Sequence, residues 1–215
     1  MATTVLIERL RSQIQALDCV TFNHSKRTVS SSFSEVDSWL PHGGLQPGSF
    51  VELIQDSEGT GAYTAALKLA RSAAETKPAW AVLDSDGTFH APVAETLGWD
   101  LQKLVVVRAP PNDSGWAFAH LLRSKDIGAC FWVSRNMDNM LFRRLQLAAE
   151  RGGGLGFVIR PAAALRKPCW GSLRIQVRAT PSAAPSAAPS GKLWLRLLHA
   201  RGQANAAGSE IEVAL

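Results

Sequence analysis

The sequence predicts an α/β fold, with a mostly parallel central sheet flanked by helices and antiparallel strands added at the carboxyl terminus. Three observations carry this. Short apolar runs at 49–54, 79–83, 104–107, 127–133 and 155–159 alternate with helix-like stretches, the pattern of strands buried on both faces and joined by crossover helices. The segment from Trp39 to Ala70 reads as turn, strand, polar loop and helix. Beyond Leu173 the pattern becomes strict alternation, broken by a Pro/Ser/Ala-rich tip, which marks antiparallel strands.

The elements follow in chain order. Val5, Leu6, Leu10, Ile14 and Leu17 recur at three- and four-residue steps, so residues 1–18 form an amphipathic helix. Two roles are open for it: an arm that docks on another subunit or protein, or a helix folded back on its own domain. Residues 19–34 are polar and Ser/Thr-rich, a linker with room for one short strand. The core spans residues 35–178.

Within the core, Ser49–Ile54 is the first strand and Ala65–Ala74 a helix with Leu67 and Ala70 inward. Ala79–Leu83 is a buried strand ending in Asp84-Ser85-Asp86-Gly87, and a carboxylate there faces the ligand crevice of a parallel sheet. Helix Val93–Leu97 ends at Gly98, and Leu104–Val107 is a β-branched third strand. After a turn at 108–113 comes a helix, Trp116–Leu122, with Trp116, Ala119 and Leu122 on one side. Ile127–Val133 is the fourth strand, 135–140 a loop, and Leu141–Arg151 a helix stopped by Gly152-Gly153-Gly154. Leu155–Ile159 is the fifth strand. Leu173–Arg178 alternates as a half-exposed strand, residues 179–191 are a low-complexity flexible tip, and residues 192–215 hold two further strands, Leu193–Leu198 and Glu210–Val213.

The loop after the first strand sits where a phosphate-binding G-x-x-x-x-G-K-[ST] loop would occur. With Gly61 as its second glycine, Asp56 takes the place of the first, Ala62 that of the lysine and Tyr63 that of the metal-binding hydroxyl; Gly59 lies between. Ala62 brings no charge to a phosphate, and Asp56 and Glu58 bring the wrong one. Two like charges ~4 Å apart repel by roughly 4 kcal/mol at an effective dielectric near 20. The fourth strand ends in Val133-Ser134 with no carboxylate for a magnesium shell. The loop is either a nucleotide scaffold that has lost its nucleotide or a strand-to-helix connection that never held one; both readings predict no ATP hydrolysis and no cofactor. An atypical ATPase would need Lys68 or Lys77 to replace the missing lysine.

Composition narrows the class. A 215-residue chain with 46% hydrophobic residues fills one domain with modest appendages. Cys19, Cys130 and Cys169 form no metal-ligand spacing and an odd set, so they read as reduced thiols rather than a disulfide framework. No apolar run reaches the ~18–20 residues that span a bilayer, and Met1–Leu10 has no signal-peptide core; the expectation is a cytoplasmic protein without membrane contact. Of the net charge of +5, the excess lies at the end: residues 151–215 hold nine Lys/Arg against Glu210 and Glu212, whereas the preceding 150 hold fourteen against sixteen acids. That asymmetry fits a polyanion-facing surface or a merely solvated one.

Phe33-Ser34-Glu35-Val36-Asp37-Ser38-Trp39-Leu40, then Gly43-Gly44-Leu45, Pro47-Gly48 and Val51-Glu52-Leu53, resemble the start of a RecA-type core, where a short helix and a G-G-L-x-x-G turn lead into the P-loop strand. Together with the Arg160-Pro161-Ala162 stretch and the closing strands, the chain over residues 30–215 resembles the ImuA-like accessory proteins of damage-induced translesion mutagenesis. The resemblance implies a RecA-like core and a non-catalytic role beside RecA, an ImuB-like Y-family adaptor and an error-prone replicative-type polymerase, with self-association through the same interface. In RecA-like ATPases the glutamate that orients the attacking water falls where this chain has Asp86. The loops after strands four and five line the DNA channel of recombinases. The matching stretches here, with the helix between them, carry Arg135, Arg143, Arg144, Arg160, Arg166 and Lys167 as phosphate contacts and Trp170 as a stacking ring. Trp170 as a core anchor is the competing assignment. A SulA-like cell-division inhibitor, which shares a stripped RecA-like core, is the alternative function.

Overall fold

The computed structural model describes residues 28–179, 191–203 and 206–214; the expected helix 1–18, most of the linker 19–34 and nearly all of the tip 179–191 lie outside them. The order is α1 (Ser34–Ser38), β1 (Phe50–Gln55), α2 (Ala62–Ala70) continued by a 3-10 turn (Arg71–Glu75), β2 (Ala79–Leu83), α3 (Ala91–Thr96), β3 (Leu104–Val107), α4 (Pro111–Arg123), β4 (Ile127–Val133), α5 (Asn139–Gly152), β5 (Leu155–Pro161), a 3-10 turn (Ala162–Arg166), β6 (Leu173–Ala179), β7 (Lys192–Ala200) and β8 (Glu210–Ala214). The strands form one eight-stranded sheet ordered β3-β2-β4-β5-β1-β6-β7-β8. All pairings from β3 to β6 are parallel; β6–β7 and β7–β8 are antiparallel. The expected α/β architecture is the observed one.

Both faces of the sheet's centre are covered, because strand residues pointing to opposite sides are apolar on each; β3, expected to be buried on both faces, is instead an edge strand with Val105 and Val106 exposed. Val51, Leu53, Phe157 and Ile159 join α1 and α2 in one core. Phe50, Val158, Cys130 and Trp132 join α4 and α5 in the other. In the first, Trp80 and Trp99 lie with centroids 4.5 Å apart and Trp99 meets Phe131 edge-on, while Trp80 Nε1 donates to the Asp100 carbonyl at 2.9 Å. Full burial of such rings contributes about 1.5–3 kcal/mol each. Gly156 is where the second core leaves no room: a Cβ there would lie 2.5 Å from the Phe50 ring.

Three expectations need correction. Helix α4 begins at Pro111, and Trp116 points outward, 58% exposed. Gly115, Phe118, Ala119 and Leu122 form the inward stripe, which leaves Trp116 off the stripe and against the tilted His120 ring, centroids 4.0 Å apart. The helix after the loop starts at Ala62 and gives way to the 3-10 turn at Arg71. Strand β6 is not half-exposed: Arg174 and Gln176, on its polar side, are 7% and 4% exposed. It is an interior strand between β1 and β7, and the segment following β5 closes over its second face.

Candidate functional site

Parallel pairing from β3 through β6 puts the segments after β1, β2, β4 and β5 along one end of the sheet, where ligand crevices of α/β folds form. The loop after β1 enters α2 through Gly61, whose φ of 82° is the left-handed region that favours glycine. A Cβ there would also press on Leu193 at 2.9 Å. Gly59 has a similar φ of 79°. The turn geometry is therefore present, and its side chains are acids held by arginines. Asp56 pairs with Arg178 at 2.6 Å and accepts from Gln176 Nε2 at 2.7 Å. Arg135, from the segment after β4, reaches Glu58 at 3.1 Å and Asp86 at 3.7 Å. Ala62 is buried at the first turn of α2. The Tyr63 hydroxyl is buried without a hydrogen-bond partner among the described residues; burial first, then the Asp84 charge, holds its proton on well above the usual phenol range.

The acid at the end of β2 that enters the interior is Asp84, 5% exposed. Asp86, the position matched to the ATPase glutamate, lies in the following turn with its side chain 44% exposed. The lysines that an ATPase reading requires are engaged elsewhere. Lys68 donates to the Ala214 carbonyl at 3.0 Å and Lys77 to that of Gly152 at 2.9 Å; burial lowers the Lys77 pKa. Neither stands at the loop.

The candidate DNA contacts separate into three groups. Arg160 is interior: its Nη1 donates to Glu52 at 2.7 Å, its Nη2 to the Met137 carbonyl at 3.1 Å, and its guanidinium lies over the Phe142 ring. Burial removes it from any surface that meets a phosphate, and Arg135 is spent on the two acids named above. Lys167 is half-buried and donates to Met137 O at 3.2 Å. Arg143, Arg144 and Arg166 are exposed. Trp170, 41% exposed, is not a core anchor, and Arg143 lies over its ring at 5.9 Å from the centroid. Exposed Met140 and Leu147 share the α5 surface with Arg143 and Arg144. The basic third is thus partly internal. Lys192 and Arg196 pair with Glu212 and Glu210 across β7 and β8, and Arg201 pairs with Glu150.

What sequence reasoning missed is Glu52, fully buried in β1. Its second oxygen takes Arg174 Nε at 2.5 Å, and Arg174 donates onward to the carbonyls of Lys167 and Pro168. Through Arg160 and Arg174 one carboxylate fixes the backbone after β4 and after β5. A charged residue in an otherwise apolar strand, with arginines in two other strands, was the available signal. Among the described residues no group of His, Cys, Asp and Glu is arranged to hold a metal ion, and no helix is long and apolar enough to cross a membrane. A scan against family models and a search of curated proteins return no match to the chain.

Proposed function

We propose that the chain is a non-catalytic, RecA-like accessory factor of the DNA-damage response, acting in translesion synthesis by modulating RecA or tethering mutagenic polymerase factors. The observation that carries the first half is the charge inversion of the loop after β1. Where a triphosphate needs backbone N–H groups and a lysine, Asp56, Glu58 and Asp86 stand paired with Arg178 and Arg135. The second half rests on the resemblance of residues 33–53 to a RecA-type core and on exposed Arg143, Arg144, Arg166 and Trp170, which offer cations and a ring to single-stranded DNA. RecA, an ImuB-like adaptor and an error-prone replicative-type polymerase are the partners this reading names, with the cytoplasm as its compartment.

Two measurements test it. Equilibrium binding of labelled ATP with magnesium is expected to be undetectable; micromolar affinity with turnover would remove the premise. Purified RecA and the tubulin-like division protein are then offered separately to the immobilised chain. Retention of RecA supports the proposal, and retention of the division protein alone moves the assignment to a SulA-like inhibitor.

A further inference from the structure

Beside the charged crevice, the first turns of α2 and the segment after β2 enclose a cavity of about 280 Å3 that the proposed function does not use. Leu67, Val82, Val93 and Val133 form its apolar wall, two rings, Tyr63 and Phe89, stand 5.8 Å apart at centroids, and Asp86 and His90 also line it. Among the described residues no lysine or arginine lines it. At its end is Asp84, whose side chain is 4% exposed. Oδ1 accepts from the backbone N–H groups of Thr88 and Phe89 at 2.9 and 3.2 Å. Oδ2 has no hydrogen-bond partner among the described residues, nor has the Tyr63 hydroxyl. Among the described residues the nearest cation, Arg108 Nε, lies 3.7 Å from Oδ2, beyond hydrogen-bond reach, on a side chain 75% exposed to water.

A buried carboxylate oxygen without a donor is unfavourable, and so is a buried phenol without a partner. An ammonium or guanidinium supplies several donors and the opposite charge at once, while the valines, Leu67 and the two rings accept an apolar body. The same set repels phosphates and carboxylates. We propose that this cavity binds a small organic cation, an ammonium or guanidinium carried on an apolar or aromatic body, with Asp84 as its counter-ion. Its size sits at the small end of ligand pockets, which favours an amine of one ring over a nucleotide.

The test uses three ligands of one shape and different charge, phenethylamine, 2-phenylethanol and 3-phenylpropionate, plus agmatine, titrated into the full chain with backbone amide resonances as readout. Phenethylamine or agmatine is expected to shift the amides of 84–90, with both phenyl analogues at least about tenfold weaker. Asp84→Asn keeps the Oδ1 acceptor and is expected to weaken amine binding at least about tenfold. Arg108→Ala removes the competing cation and is expected to tighten it. Equal binding of the three phenyl ligands, no shifts at 84–90, or weaker amine binding in Arg108→Ala would each overturn the proposal. Should Asp84→Asn fail to fold, the charge series and the Arg108 variant still decide.

Discussion

Glu52 and Arg174 face each other across the β1–β6 pair, with Nε 2.5 Å from Oε2 in the interior of the sheet. Arg160 takes the other oxygen at 2.7 Å, so one buried carboxylate answers two buried guanidiniums. Desolvating three charges is unfavourable, and such a group contributes less than a well-packed apolar core would. Its effect is positional: the remaining arginine N–H groups bind the carbonyls of Met137, Lys167 and Pro168, which ties two surface segments to the sheet's centre.

Removing the acid alone strands two cations in the interior. Glu52→Ala is therefore expected to destabilise the fold by roughly 3–5 kcal/mol, measured by urea unfolding. Arg135→Ala, which breaks pairs on exposed side chains, is expected to cost no more than about 1 kcal/mol. Similar losses in the two variants would contradict the burial of the Glu52 group.

The same carboxylate acts on Cys169. Burial, then the Glu52 charge, pushes its thiol up to about 11, and burial drives Cys130 higher still. Only thiolate reacts with iodoacetamide. Peptide-resolved labelling of the native protein near pH 8 is expected to leave both cysteines unmodified while a denatured sample labels fully. The Cys169 rate is expected to rise with pH until about 11. Rapid native labelling of Cys169 at pH 8 would show that partial burial and the Glu52 charge do not hold its thiol protonated.

Much of the fold was legible and its charge placement was not. Strands 79–83, 104–107 and 127–133 match the sequence reading residue for residue, because apolar, β-branched runs bounded by turns have few other solutions in an α/β chain. Alternation in β6 was read as one wet face, yet a pattern of period two cannot say what covers the polar side. Here that cover is the backbone after β5, held by Arg174 itself. Arg160 and Arg166 are alike in sequence and opposite in role. One ends a buried strand facing an acid; the other ends an exposed 3-10 turn. Asp86 drew attention by its alignment, whereas Asp84, two residues earlier, holds the interior position.

Among the candidate DNA contacts, Arg143 lies over the ring of Trp170. If a base stacks on the exposed indole, Trp170→Ala is expected to weaken single-stranded DNA binding by about 1–3 kcal/mol with little change in salt dependence. Arg166→Ala is expected to lower the salt slope by about one unit instead, and adding Lys167→Ala, whose ammonium donates to the Met137 carbonyl, is expected to change it little further. Fluorescence anisotropy with an oligothymidine at several salt concentrations separates the two. Unchanged affinity in both variants would take DNA off this face.

His199 tests the back of the same charge group, since its register partner on β6 is Arg174. Burial first, then Arg201 and Arg174, lowers its pKa below the usual 6.5, with Glu52 opposing. The folded state therefore disfavours the imidazolium that the unfolded chain accepts. For a lowered folded pKa, the His199 contribution to stability is fully present above pH 6.5 and is lost as pH falls through that value toward the folded one. Carboxylates titrate in acid too, so the informative quantity is the difference between wild type and His199→Gln, which cannot gain the proton. Urea unfolding from about pH 7.5 to pH 5 is expected to show wild type losing stability relative to the variant only below about pH 6.5. A difference that stays flat would mean that the ring is hydrated and shielded from both arginines. A difference of opposite sign would mean that Glu52 outweighs them, and that the buried carboxylate is not already neutralised by Arg160 and Arg174.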